Sequence, residues 1–116
     1  MRVLVCGGRQ YDDYVHVCEV LDSFTDPRGQ TITFVVHGAA PGADSLAALW
    51  ADARNIPAHA FPADWRTHGR AAGPIRNARM LAEGKPDVVI AFPGGPGTAD
   101  MVAKARRAGV HVEEII

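Results

Sequence analysis

The sequence predicts a doubly wound α/β domain: a five-stranded parallel sheet with helices on both faces. Two observations carry this. Short β-branched or apolar runs alternate with stretches whose apolar residues recur at helical spacing, in the order β-α-β-α-β-α-β-α-β. Three of the strands run straight into small residues: Cys6-Gly7-Gly8-Arg9, His37-Gly38-Ala39-Ala40-Pro41-Gly42-Ala43-Asp44 and Pro93-Gly94-Gly95-Pro96-Gly97-Thr98-Ala99-Asp100. Right-handed crossovers gather those three runs at one edge of the sheet, beyond the carboxyl ends of the strands, where such folds hold their ligands.

Arg2–Cys6 reads as a short, fully buried first strand. Tyr14, Val17, Cys18, Leu21 and Phe24 then mark a helix, with Asp12 or Asp13 placed to cap it. Asp26-Pro27-Arg28-Gly29 is a turn, and Ile32–Val36 a β-branched and aromatic second strand. Leu46, Leu49, Trp50 and Ala53 form one helical stripe with Trp50 in the core; Ala58–Phe61 is a weaker third strand, ended by Pro62. Ala63–Gly73 has no clear period, carries Trp65, His68 and Arg70, and reads as a functional or lid loop. Pro74 suits the first turn of a third helix with Ile75, Ala78 and Leu81 or Ala82 on its core face, ended by Gly84 and Pro86. Val88–Phe92 is a strand buried on both faces. Met101, Val102, Ala105 and Ala108 mark a fourth helix with Gly109 as its C-terminal cap, Lys104, Arg106 and Arg107 form its solvated face, and Val110–Ile115 is the fifth strand.

Residues 1–116 are read as a single domain, since a chain of this length buries roughly two-thirds of its unfolded surface without staples. A net charge of −1 gives no broad electrostatic reason to bind nucleic acid or an anionic membrane, so an anionic ligand must be held locally by arginines and backbone amides. Cys6 and Cys18 read as small buried apolar residues, not as a disulfide or a metal pair. Met1–Val5 leads into a strand without a secretory apolar region, and no apolar run approaches ~20 residues, so the expected compartment is the cytoplasm.

Small residues opening a helix leave free N–H groups that face an anion, the signature of a nucleotide or phosphate site. The first run is not Gly-x-Gly-x-x-Gly and the second strand ends without an acidic residue for a ribose, which disfavours an ordinary dinucleotide fold. A P-loop, a His-Glu-x-x-His or Cys-x-x-Cys metal motif and a Gly-x-Ser-x-Gly nucleophile are all missing, and neither a metal nor a cofactor is expected.

Pro93-Gly94-Gly95-Pro96-Gly97-Thr98 resembles the Pro-Gly-Gly-x-Gly-Thr signature of the LOG phosphoribohydrolases, and Arg76-Asn77-Ala78-Arg79-Met80 their Arg-Lys-x-x-Met segment. Gly38–Asp44 resembles the Gly-x-Ala-x-Gly-Ile-Asp loop of the DprA Rossmann-like domain. The whole pattern, including Gly69–Asn77, looks most like the small YspA/YpsA-related family of the SLOG superfamily. The resemblance implies a Rossmann-like fold, a small-molecule nucleotide ligand and a homodimer. Within it Gly7, Gly8 and Arg9 would form one wall and His37, Gly38, Ala39, Gly42 and Asp44 a second. Gly94, Gly95, Gly97 and Thr98 would hold phosphate, and Arg70, Arg76 and Asn77 would neutralise and orient it. Asp44 either accepts from a ribose hydroxyl or caps the second helix, and Trp65 either stacks on a base or packs its loop down. The LOG-like alternative is an N-glycosidase acting on nucleoside monophosphates, with Arg76 positioning phosphate and Asp100 as the carboxylate. The family's glutamate position, three residues after the threonine, is Met101, and Asp100 sits about 100° away around the helix.

Overall fold

A computed structural model describes all of residues 1–116. Its five strands are β1 (Arg2–Cys6), β2 (Phe34–His37), β3 (Ala58–Ala60), β4 (Val88–Ala91) and β5 (His111–Glu114). They form one parallel sheet in the order β3-β2-β1-β4-β5. Five helices connect them: α1 (Tyr14–Ser23), α2 (Ala43–Ala53), α3 (Trp65–His68), α4 (Ala72–Gly84) and α5 (Pro96–Arg107), with a 3₁₀ turn at Gly69–Ala71. No helix is long and apolar enough to cross a membrane.

The alternation of side chains along each strand feeds two cores. Val3, Val5, Val35, Val88 and Ile90 pack with Val17 and Leu21 of α1 and Ala47 and Trp50 of α2 on one face. Leu4, Cys6, Val36, Val89 and Ala91 pack with Met80 of α4 and Met101, Val102 and Ala105 of α5 on the other. Central strands buried on both sides must be apolar at consecutive positions, as β1 and β4 are. The chain winds outward from β1 to β3, crosses back and winds outward again through β4 and β5. The order therefore reverses between β1 and β4, and the crevice beyond their carboxyl ends is the open end of the fold.

Several expectations need correction. β2 begins at Phe34, not Ile32, because Arg2 is the first residue of β1 available to pair with it. Ile32 is nonetheless buried, and Thr31 and Thr33 are occupied by the N-terminal amine. The segment expected to be a loop over Ala63–Gly73 is largely helical: Asp64 caps α3 by accepting from the Thr67 amide at 3.1 Å, and α4 begins two residues before Pro74. Two helices are rotated from their expected phase. In α2, Leu49 and Ala53 face solvent while Ala43, Ala47, Trp50 and Ala51 face the sheet. In α4, Ile75, Ala78 and Ala82 are exposed, and Gly73, Asn77, Met80 and Gly84 turn inward. Close packing decides the case of α4: at Gly84 a Cβ would come within 2.9 Å of Val36 Cγ1, so the helix lies where only glycine fits. Cys18 is only half-buried, and Ala108 is exposed beyond the end of α5. Lys104 is not merely solvated, since its Nζ lies 2.6 Å from Asp100. The outer strands β3 and β5 are short, and β3 is exposed throughout.

Positive φ separates two glycines by their surroundings. Gly109 follows α5 at φ +77° with open space where a Cβ would go. Gly42 has φ +81°, and a Cβ there would overlap the carbonyl oxygen of Gly8. Gly109→Ala is predicted to cost about 1 kcal/mol of strain, and Gly42→Ala well over about 2 kcal/mol because overlap adds to strain. Urea unfolding of the two variants measures the gap; equal losses would contradict the close approach of the β1 and β2 loops.

Candidate functional site

A cleft of about 620 Å³ opens at the reversal of strand order. Gly7–Gln10 after β1 form one wall, the first turns of α4 another, and Gly95–Thr98 at the start of α5 a third, with Trp65 of α3 at its mouth. The loop after β1 enters close against its neighbours: Gly8 N–H donates to Pro93 O at 2.9 Å, and Gly8 O accepts from Ala43 N at 3.1 Å. Gly7 has no room for a Cβ beside Ala43 and Phe92, and Gly94 none beside Gly8 and Thr98.

The loop after β4 shows a different property. Gly95 is the N-cap of α5, with Pro96 at its first position, and the first intrahelical bond runs from Ala99 N to Gly95 O at 3.1 Å. The amides of Gly94, Gly95, Gly97 and Thr98 donate to no group of the protein, and Pro96 has none to donate. At Gly95 and Gly97 a Cβ would meet nothing within 4 Å. No neighbouring protein atom therefore requires glycine there, in contrast to Gly7, Gly42 and Gly94. Thr98 is not the N-cap; it lies in the first turn, its hydroxyl against Gly94.

Of its small residues, the loop after β2 presents only Ala40 to the cleft. His37, Gly38, Ala39 and Gly42 lie behind the wall, and only Ala40 and Asp44 reach it. Asp44 does not cap α2, whose N-cap is Gly42 with no side-chain bond. Its Oδ2 accepts from Gly38 N at 3.0 Å and Ala40 N at 3.3 Å, tying the loop to the helix. Ala39, in the left-handed region at φ 58°, donates to His37 Nδ1 at 3.0 Å. Burial holds the His37 pKa below its usual value, with His59 adding to the effect. Gly38 provides the space for Arg76, whose Nη1 donates to Gly38 O and whose Nε donates to Asn77 Oδ1 at 3.0 Å.

Asn77, 3% exposed, bridges the two helices that flank the cleft: its Nδ2 donates to Gly97 O at 3.2 Å and to Asp100 Oδ2 at 3.0 Å. Asp100 is also paired with Lys104. Burial pushes the Asp100 pKa up, but hydrogen bonds from Lys104 and Asn77 outweigh it and leave the carboxyl below its ordinary value. Met101 is fully buried in the core beneath.

Of the residues expected from sequence, Gly7, Gly8, Arg9, Asp44, Arg70, Arg76, Asn77, Gly95, Gly97, Thr98 and Asp100 line one cavity. Sequence reasoning missed Gln10, Gly73 and the floor made by Cys6 and Met80. Gly73 carried a signal, a glycine beside a predicted helix start, whereas the floor is indistinguishable from core. Burial pushes the Cys6 thiol up to about 12, so it stays protonated. Burial lowers the Arg76 pKa, with Asp44 opposing. Arg9 and Arg70 form no ion pair with any carboxylate. The cleft is thus lined both by arginines without a carboxylate partner and by unpartnered amides.

The family model described as the YspA, cpYpsA-related SLOG family matches residues 1–68, from β1 through α3. Gene 61 protein of Mycobacterium phage D29 is 38% identical to this chain over 120 residues, covering 96% of this chain and 93% of that protein.

Burial raises the pKa of Asp44 to about 6 from 3.8, against the lowering effects of its two amide partners, Arg76 and Arg9. The folded state therefore holds this proton across a range where the unfolded chain has released it, so stability from this group falls as pH rises from about 4 to about 6. Asparagine keeps an oxygen for both amides and does not titrate. Wild type should lose on the order of 2–3 kcal/mol relative to Asp44→Asn between pH 4 and pH 7. Urea unfolding of both proteins across that range tests this, and a difference that stays flat or rises with pH contradicts it.

Proposed function

The chain belongs to the YspA, cpYpsA-related SLOG family, and on that footing we propose that it binds a nucleotide or nucleotide derivative as a sensor or accessory protein. A nucleoside phosphate, or a compound of the ADP-ribose and NAD-derived class, fits the reading. The observation that carries it is the set of three unpartnered amides, at Gly95, Gly97 and Thr98, where the start of α5 lines the cleft; Gly94, expected to join them, lies outside the lining, packed against Gly8.

An anion at a helix start gains ~0.3–1 kcal/mol from the dipole, and up to ~2 kcal/mol where partly buried. That alone is too little for a useful affinity, so other groups must contribute. Arg76 is held in a fixed place by Gly38 O and Asn77, while Arg9 and Arg70 are free to meet a charged group. A volume of about 620 Å³ lies in the range of small-molecule sites. Gly7, Gly8 and Arg9 form one wall in this reading, and Asp44 stands where it can accept from a ribose hydroxyl. A homodimer located in the cytoplasm is part of this reading, and the net charge of −1 speaks against nucleic acid or membrane as partners.

One observation keeps hydrolysis of nucleoside monophosphates as a second reading: Asp100 lines the cleft near Arg76. Its bonds to Lys104 and Asn77 weigh against it, because a general base works best with a pKa near the working pH and an unencumbered oxygen.

With ADP-ribose or AMP at ~100 times Kd, the wild type should gain about 2.7 kcal/mol of stability, read as a rise of several degrees in Tm. Gly95→Val should fold, since a Cβ there meets no protein atom within 4 Å, and should lose the shift. A shift that survives in Gly95→Val removes this loop from the ligand site. Chromatography of nucleoside monophosphates incubated with the protein decides between the two readings: base released by wild type but not by Asp100→Asn favours the hydrolase.

A further inference from the structure

The two tryptophans have opposite surroundings. Trp50 is 2% exposed, and its Nε1–H donates to Asp22 at 2.9 Å. Trp65 is 47% exposed at the mouth of the cleft, and its Nε1–H has no partner in the protein. Yet Trp65 is not loosely placed. Asp64 caps its helix, Gly69 N–H closes the helix on Trp65 O, and the ring edge lies against Gly73, where a Cβ would come 3.4 Å from Cη2. A large aromatic surface is thus held in position and left uncovered beside a cleft lined with cationic groups and free amides.

The only charged group over that ring is Arg9, whose guanidinium carbon lies 5.4 Å from the ring centroid. Arg9 is exposed and has no carboxylate partner, so it is held weakly at an open ring and can leave it for an anion, which binds a guanidinium more strongly. The separation leaves no space for another ring between guanidinium and indole. A base stacking on the covered face must displace Arg9, which comes from the same wall as Gly8 and so remains within the site.

We propose that Trp65 is the base-stacking platform of the cleft, and that Arg9 leaves the indole for the phosphate as the base takes its place. This rests on the nucleotide reading and narrows it: the ligand carries an aromatic base and a phosphate together, and a sugar phosphate without a base is a poor one. Stacking on an aromatic side chain is sequence-tolerant, so Trp65 supplies affinity for bases in general and not the choice among them.

Calorimetric titration with AMP, ADP-ribose and ribose 5-phosphate tests it, on wild type, Trp65→Ala and Trp65→Phe, with tryptophan emission followed in parallel. Wild type should bind AMP or ADP-ribose at least about five-fold more tightly than ribose 5-phosphate. Trp65→Ala should lose that advantage and leave ribose 5-phosphate binding unchanged; Trp65→Phe, which keeps a π face, should retain most of it. Emission quenched by AMP or ADP-ribose in wild type should be absent in Trp65→Phe, since Trp50 is buried. Equal binding of all three probes by wild type and Trp65→Ala overturns the platform while leaving the phosphate cradle standing. Binding of none of them overturns both readings. A wild-type dimer that becomes monomeric in Trp65→Ala shows that the indole meets a second copy, and likewise overturns the platform.

Discussion

Both hydrogen-bonding groups of the Gly8 peptide unit are taken by other loops, and the spacing of the whole open edge depends on this. Its N–H reaches Pro93 after β4; its oxygen receives Ala43 N–H at the start of α2 and Tyr11 N–H from its own loop. Any side chain at Gly7, Gly42 or Gly94 would force these three segments apart. The close approach fixes where α5 begins relative to β1, and hence where its free amides stand. Glycines in this protein therefore have two roles that look identical in sequence. Some let protein meet protein, whereas at Gly95 and Gly97 the space where a Cβ would go is open.

The cleft is positive locally in a protein of net charge −1. Its guanidinium groups differ in kind. Arg76 is locked by Gly38 O and Asn77, with Asp44 buried nearby, so its charge is a fixed part of the wall. Arg9 and Arg70 carry no such restraint and can follow a ligand. Asp44 is the cost of the arrangement: a carboxylate taken out of water and kept because two amides of the β2 loop need an acceptor. Its raised pKa records that tension between burial and bonding.

The parallel sheet with helices on both faces, the apolar central strands and the glycine loops were readable from residue types, because central parallel strands must be apolar at consecutive positions and small residues mark close approaches. The helical phases of α2 and α4 were not. Hydrophobicity points to Leu49 and Ile75, yet beside Trp50 and Met80 the buried faces consist of alanine, glycine, Asp44 and Asn77, small or hydrogen-bonded residues. Asn77 is the instructive case: a polar residue buried among apolar ones becomes legible only when its partners Arg76, Gly97 and Asp100 are placed around it. Asp44 shows the same limit from the other side. Its position after a glycine suggests a cap, but it bonds backward to the loop.

The margins of the sheet carry a further implication. β3 offers three residues and β5 four, and β5 presents His111, Glu113 and Glu114, the first two hydrogen-bonded to each other and the third ion-paired to Arg106. Short borders, and at β5 acidic side chains, resist the addition of another strand. Copies of this chain that associate would accordingly meet through helices rather than by continuing the ladder, leaving each sheet, and the crevice at its centre, undivided.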